Sequence, residues 1–308
     1  MKNIFTFSVC FFAFLLSLSA QEEAIFNLYQ ANRMLLNPAC VGIGDRHQLF
    51  MMSRSQWVGV PGQPRTMAAT YRGPVTDDVW IGGMLMSDQS ADMKQVRAQG
   101  AYARWFKLPK GGRISAGLSA EFHNYRLQTS VLDNPLNDYS DVMLADYFEG
   151  VTFFDAAAGV YIEYQKFYGG LSFPNLVRTR IGEVNGKSKG GTDFMLLTGY
   201  RHDMARASIE PFLQVRRVLD APFQADLGVR FYMLEDALIG GVLVRPGSGN
   251  TAVVSLGTQF KNLQVHYAFE WSFDKINQYH SGTHEVAIGI GINRKKPAFD
   301  RKHTISAD

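Results

Sequence analysis

From position 47 onward, apolar and polar residues alternate with a period of two, the pattern of strands whose successive side chains point to opposite faces. The C-terminal half shows it most clearly. Between 263 and 273, one face carries Leu263, Val265, Tyr267, Phe269, Trp271 and Phe273, and the other Gln264, His266, Ala268, Glu270 and Ser272. Between 223 and 232, Phe223, Ala225, Leu227, Val229 and Phe231 alternate with Gln224, Asp226, Gly228, Arg230 and Tyr232. The alternation recurs at 114–122, 154–164, 207–215, 251–260 and 286–292, and more weakly at 48–53, 66–71, 79–86, 96–106, 166–173, 192–200 and 238–244. These segments predict about fourteen strands of bilayer-spanning length, an even count as expected of a single-chain bacterial barrel.

The spacers test that count independently. With a periplasmic N-terminus, odd-to-even connections are extracellular and should be the longer ones. The spacers around 58–64, 87–93, 127–150, 174–191 and 274–282 fall on that side, while 107–112, 165–166, 201–204, 234–236 and 261–262 are short. A soluble sandwich or lipocalin also alternates, but its exposed face is rich in Lys and Glu. Here the second face holds Gly, Ala, Ser and isolated charges, which suits a narrow lumen. The fold class expected is therefore all-β, a transmembrane antiparallel β-barrel behind an N-terminal signal peptide.

Composition agrees. Charged residues are 19%, below the usual quarter of soluble domains, and Gly (29 residues) and aromatics (13%) are abundant. Past the N-terminus no apolar run reaches the length of about 18 residues that a spanning helix needs. The net charge of +3 gives no footing for nucleic acid, and the basic tail containing Arg294, Lys295, Lys296, Arg301 and Lys302 reads as a solvated end.

The first twenty residues read as a secretory signal: Lys2, an apolar run over 4–18, then Ser19 and Ala20 before Gln21. Four segments follow: signal peptide 1–20, an N-terminal periplasmic or plug segment 21–46, the barrel 47–294 and the tail 295–308. Within the second, 22–36 suggests a short helix with Ile25, Leu28, Leu35 and Leu36 on one side, ended by Asn37-Pro38. Cys10 leaves with the signal, so Cys40 is the one thiol of the mature chain and no internal disulfide forms. An exported barrel of this kind belongs in the outer membrane, in contact with its lipid.

Catalytic chemistry finds little footing. His280 and His284 have the i, i+4 spacing that shares a face only on a helix, and here they straddle a turn and a strand start. Ser281 with His284 suggests a hydrolase, but no third triad member is legible. Neither catalytic residues nor a cofactor or metal site is expected. Glu121, Asp155, Glu163, Glu210, Asp226, Arg230, His266 and Glu270 form a lumen set, either bonded to one another or a polar socket for a peptide. The densest non-repeating stretch is 54–66, where two Gly and two Pro fix the path around Trp57, a girdle anchor or a docking aromatic.

At these residues the chain resembles the PorP/SprF family of type IX secretion and gliding-motility proteins of Bacteroidetes. The family's NPAxxG element corresponds to Asn37, Pro38 and Gly42, and its RxQWxGxxGxPxT element to Arg54, Gln56, Trp57, Gly59, Gly62, Pro64 and Thr66. A His-Glu pair before the last strand corresponds to His284 and Glu285. Cys40 stands where an aromatic is usual, and 295–308 follows the last strand in place of a terminal aromatic. The resemblance implies a non-enzymatic outer-membrane component of type IX secretion. Its implied partners are the translocon and periplasmic ring proteins, or a secreted adhesin whose C-terminal domain it helps export or anchor. The twelve residues just named, with the lumen set and the acidic loop carrying Asp133, Asp138, Asp141, Asp146 and Glu149, are the candidate interaction positions. The alternative is a passive porin for small solutes.

Overall fold

The computed structural model describes residues 26–128, 142–181, 193–218, 222–247 and 250–292. The expected signal peptide 1–20, Asp133, Asp138, Asp141 and the expected tail 295–308 lie outside the described residues.

Fourteen long strands form one closed antiparallel sheet. They are β1 His47–Ser55, β2 Arg65–Pro74, β3 Val79–Ser90, β4 Met93–Lys107, β5 Arg113–Leu127, β6 Val151–Tyr164 and β7 Phe167–Phe173, then β8 Phe194–Tyr200, β9 Ala207–Arg217, β10 Gln224–Met233, β11 Leu238–Arg245, β12 Thr251–Phe260, β13 Leu263–Ser272 and β14 Thr283–Ile292. Each pairs with the next, and β14 closes on β1 from His47↔Ile292 to Ser55↔His284. Two-residue strands, Thr179–Arg180 and His202–Asp203, add to β6 and β9, and a helix, α1 Val142–Glu149, lies between β5 and β6.

Every alternating segment of the sequence is a strand, and burial along it is inverted relative to a soluble sheet. Leu85 and Leu118 are more than 60% exposed, while Asp226 and Gln214 are fully buried. Apolar faces turned outward and polar faces turned inward are what lipid outside and a filled lumen demand. The connections also sort by side. Those that follow β1, β5, β7 and β13 leave from one end of the barrel, and the turns at 75–78, 108–112, 165–166, 234–237 and 261–262 share the other. At that second end the Thr76 hydroxyl (2.7 Å) and the Arg104 guanidinium (2.9 Å) hold Asp78 below the ordinary carboxylate range.

One expected loop is corrected. The spacer 87–93 is almost all strand, because β3 and β4 continue pairing to Ser90↔Met93 and turn tightly through Ala91, at φ 49°, and Asp92.

The expected helix over 22–36 is also replaced. Its described part consists of 3-10 turns at Asn27–Gln30 and Arg33–Leu35, followed by a third at Pro38–Gly42. The break falls at Asn32, which leaves helical geometry (φ −136°, ψ 75°) and donates its side-chain amide to Thr70 Oγ1 at 2.7 Å. Short helices are marginal on their own, and Asn side chains compete with them for hydrogen bonds. Here the barrel wall offers better partners. This stretch lies inside the barrel, with Phe26, Tyr29, Met34, Ala39, Cys40 and Val41 at 2% exposure or less.

Candidate functional site

The inner stretch runs the length of the lumen, from Asn27 near the long-loop end to Gly42 near the short-turn end. Three groups of wall side chains hold it.

At the long-loop end, Glu285 on β14 is 1% exposed. Its carboxylate accepts from the backbone N–H groups of Asn27 (2.8 Å) and Leu28 (3.0 Å) and pairs with Arg54, its direct cross-strand partner on β1. Arg54 also reaches Glu270 on β13 at 3.4 Å, and Glu270 accepts from the Asn27 side-chain amide at 2.5 Å. Arg245 on β11 donates to the Asn27 side-chain oxygen at 3.0 Å and binds Asp226 on β10 with two bonds, at 2.7 and 2.9 Å. Arg216 on β9 adds a second cation 3.6 Å from Asp226. Buried charges persist only when paired and bonded, and shared partners meet that demand here.

Midway, Arg33 of the inner stretch donates to Tyr161 Oη (2.8 Å) and Glu210 (3.1 Å), with its guanidinium 3.8 Å over the Tyr168 ring. The hydroxyls of Tyr168 and Tyr232 both donate to Glu210 at 2.9 Å, and Arg230 donates to the Gln30 carbonyl at 3.4 Å.

At the short-turn end the wall itself makes room. A Cβ at Gly117 on β5 would lie 2.4 Å from the Ala39 nitrogen, and one at Gly159 on β6 would lie 2.1 Å from Asn37 Oδ1. The 37–39 backbone therefore seats directly on the sheet, a use of strand glycine for close approach. Asn37 caps its own turn by accepting from Ala39 N–H (2.8 Å) and donates to the Val160 carbonyl (2.9 Å). Ser115 Oγ donates to the Ala39 carbonyl (2.9 Å), Arg72 to the Cys40 carbonyl (3.1 Å), and Trp105 Nε1 to the Gly42 carbonyl (2.5 Å). Trp105 covers Gly42 so closely that a Cβ there would fall 2.0 Å from Nε1.

Above the long-loop end, 56–64 folds over the seam between β14 and β1. Val58 N–H donates to the Gly282 carbonyl (3.0 Å) and Ser281 N–H to the Val58 carbonyl (2.8 Å), which ties the two neighbouring loops together.

Residues 18–290 match the family described as type IX secretion system membrane protein PorP/SprF. The chain belongs to that family. No curated protein matches it. Among solved structures it is similar to the CymD monoaromatic hydrocarbon channel, at 13% identity and TM-score 0.55 over 89% of this chain and 95% of that one. It is also similar to the P. putida toluene transporter TodX, at 8% identity and TM-score 0.49 over 86% of this chain and 95% of that one. Omp33 of Acinetobacter baumannii is a further neighbour, at 8% identity and TM-score 0.45 over 82% of this chain and all (100%) of that one. At these identities CymD establishes the outer-membrane barrel fold alone.

Within this PorP/SprF protein the twelve candidate positions divide by direction. Asn37, Pro38, Gly42, Arg54 and Glu285 turn inward and meet the chain itself. Thr66 is also buried, its hydroxyl donating to Asp88 at 2.6 Å. Gln56, Trp57, Gly59, Gly62 and Pro64 shape the outer loop. Gln56 N–H donates to the Pro64 carbonyl (2.9 Å), Trp57 takes φ 55°, and the two glycines take φ 103° and 72°. His284 faces outward on the wall, with Nδ1 2.7 Å from Tyr267 Oη and its ring beside Phe269. That places it in an aromatic group near the barrel rim.

Of the lumen set, Glu210, Asp226, Arg230 and Glu270 join the contacts above, while Glu121 binds Arg97 (2.6 Å) and Glu163 binds Arg113 (2.5 Å). Glu121, Glu163 and Asp226 are thus matched by cations of the wall, the mutual bonding expected of a filled lumen, while Glu210, Arg230 and Glu270 also bond the chain's own N-terminal stretch. Sequence reasoning missed Asn27, Arg33, Arg72, Trp105 and Arg245. Arg72 and Arg245 sit at inward positions of their strands, a parity legible in the pattern, but their partners come from a stretch that has no period.

Proposed function

We propose that this protein is a plugged, non-enzymatic outer-membrane scaffold of type IX secretion, reached after export by the 1–20 signal, whose faces rather than lumen serve the machine. In this reading 26–43 is the plug, the long-loop end is extracellular, and the loop bearing Trp57 meets cargo such as an adhesin C-terminal domain. The short turns face the periplasmic ring proteins. One observation carries it: the lumen is filled by a stretch bonded along its length to wall side chains, Glu285, Glu270 and Arg245 at one end, Glu210 midway, and Ser115, Arg72 and Trp105 at the other. A barrel so filled has no path for a folded or unfolded polypeptide, so its contribution must lie on its surfaces. Deleting the gene should leave type IX cargo in the periplasm or strip an adhesin from the cell surface, with restoration by the intact gene. Normal secretion and display in the deletion strain would refute the proposal.

The second reading is a passive porin. A cavity of about 30 Å³ does remain between Gln30 and the β10–β13 wall, lined by Arg230, Gly241, Gly257 and His266. At roughly 10–15 Å³ per water, it holds a few waters and no solute. Steady open conductance of the intact chain in planar bilayers would favour this reading over the first.

A further inference from the structure

The outer wall carries its cations unevenly. Arg65 on β2 pairs with Gln89 on β3, Gln89 with Lys94 on β4, and Lys94 with Arg126 on β5, so these four residues form one cross-strand row. All four are exposed and occupy outward positions of their strands. At a strand spacing of about 5 Å, the three cations fall within roughly 15 Å of one another. The row lies at the long-loop end and climbs away from the bilayer from β2 to β5, as tilted strands require.

Directly below it the same outward faces turn apolar. Met67 and Val96 lie two residues nearer the bilayer centre, and on the other two strands Leu85 and Phe122 lie four residues nearer, past the polar Ser87 and Asn124; all four apolar side chains are exposed. Among the described residues the cations of the row also have no carboxylate partner. Among the described residues, no Asp or Glu occupies an outward position in the fourteen strands, and Arg65 and Lys94 take part in none of the ion pairs. Arg126 is steadied by a bond from its guanidinium to the Glu149 carbonyl at 3.3 Å. The other outward strand cations are engaged: Arg104 pairs with Asp78 at 2.9 Å, and Arg217 lies over the Phe223 ring.

A row of cations without carboxylate partners among the described residues, above an apolar wall at the extracellular rim of an outer-membrane barrel, matches an anionic amphiphile held head up. We propose that Arg65, Lys94 and Arg126, with Gln89 between them, bind the phosphates of lipid A, the phosphorylated glycolipid of the outer leaflet, while its acyl chains lie on Met67, Leu85, Val96 and Phe122. This rests on the extracellular assignment of the long loops and goes beyond any role in secretion.

The test is native mass spectrometry of the purified full chain in detergent, titrated with bisphosphorylated lipid A, dephosphorylated lipid A and phosphatidylglycerol. The intact chain should retain bisphosphorylated lipid A in preference to both others. The R65Q/K94Q/R126Q variant should bind it about a hundredfold more weakly, and R104Q should bind as the intact chain does. Migration of unheated samples in SDS checks that each barrel is folded. Should the triple variant fail to fold, K94Q alone should lose about fivefold. Unchanged binding by the folded variants, an equal loss in R104Q, or equal retention of the dephosphorylated lipid would overturn the site. Equal retention of phosphatidylglycerol would overturn the assignment to the glycolipid. None of these outcomes bears on the secretion proposal, which the deletion strain tests separately.

Discussion

Glu285→Ala separates the two ends of the plug. The carboxylate it removes serves two backbone N–H groups, of Asn27 and Leu28, and one guanidinium, of Arg54. Each buried donor left open costs about 1–3 kcal/mol, and breaking one side of a buried ion pair costs about 3–5 kcal/mol. Arg54 keeps Glu270 at 3.4 Å, so these terms overlap, and a net loss of about 4 kcal/mol is expected. The barrel ladder between β1 and β14 is untouched, so this free energy appears as local opening of 26–32 and not as unfolding. Hydrogen exchange followed by mass spectrometry on the purified barrel should show protection over 26–32 falling about a thousandfold. Cys40, 1% exposed and held by the short-turn contacts, should remain unreactive toward maleimide. Glu285→Gln, which keeps an acceptor for the N–H groups, should fall between the intact chain and Glu285→Ala. Adding Arg54→Met to Glu285→Ala should recover part of the loss by removing the stranded charge. Unchanged exchange over 26–32 in a folded Glu285→Ala barrel would refute the anchoring role. Simultaneous exposure of Cys40 would refute the separation into two anchors.

The other expectations concern the remaining contacts. Gly117→Val drives a side chain into the Ala39 backbone 2.4 Å away and should cost about 3 kcal/mol, read as new maleimide reactivity of Cys40. Gly100→Ala meets nothing within 4 Å and should leave Cys40 unreactive. Trp105→Phe loses the bond to the Gly42 carbonyl and should destabilise the short-turn anchor by about 1 kcal/mol, detected as a small rise in the same labelling rate. Removing 26–42 should convert a closed barrel into one that conducts ions in planar bilayers. Trp57→Ala should fold normally, by unheated SDS migration, yet fail to restore secretion in the deletion strain.

How much of this the sequence made legible follows from which forces were local. The strands were legible because lipid on one side and lumen on the other impose strict alternation, and even the inward parity of Arg54, Arg245, Asp226 and Glu285 could be read off. The 87–93 spacer was misjudged because nothing local distinguishes polar strand residues such as Asp88 and Gln89, beyond the bilayer, from loop. The plug was the least legible part. Its 3-10 turns carry no period, and its buried Asn27, Asn32 and Asn37 gain their meaning from wall partners far along the chain, Glu270 and Thr70 among them. A local trace did exist: glycines at the centre of otherwise regular strands, as at Gly117 and Gly159, signal a backbone lying against the sheet. Asn37, Pro38, Gly42, Arg54 and Glu285 were read as positions for a partner. For Asn37, Pro38 and Gly42 the partner the fold supplies is the barrel wall, and for Glu285, held by Arg54, it is the chain's own N-terminal stretch.

That outcome links plug to closure. Arg54 and Glu285 are cross-strand neighbours only where the first strand meets the last, and Asn27 reaches Glu285 across 258 positions of sequence. Until β14 pairs with β1, no pocket exists for the Asn27 and Leu28 N–H groups, and Glu285 carries an unmatched charge that keeps it in water. The short-turn bed needs no such seam, since Gly117, Gly159, Ser115 and Trp105 all come from the consecutive strands β4, β5 and β6. The order of assembly thus follows from loop-closure cost: the 37–42 turn can seat on a partial sheet, and 27–28 can lock only when the ring is complete. A half-closed barrel is therefore a half-plugged one, and the seam loops 56–64 and 281–282, which bond to each other above that lock, take their shape only on the finished, sealed protein.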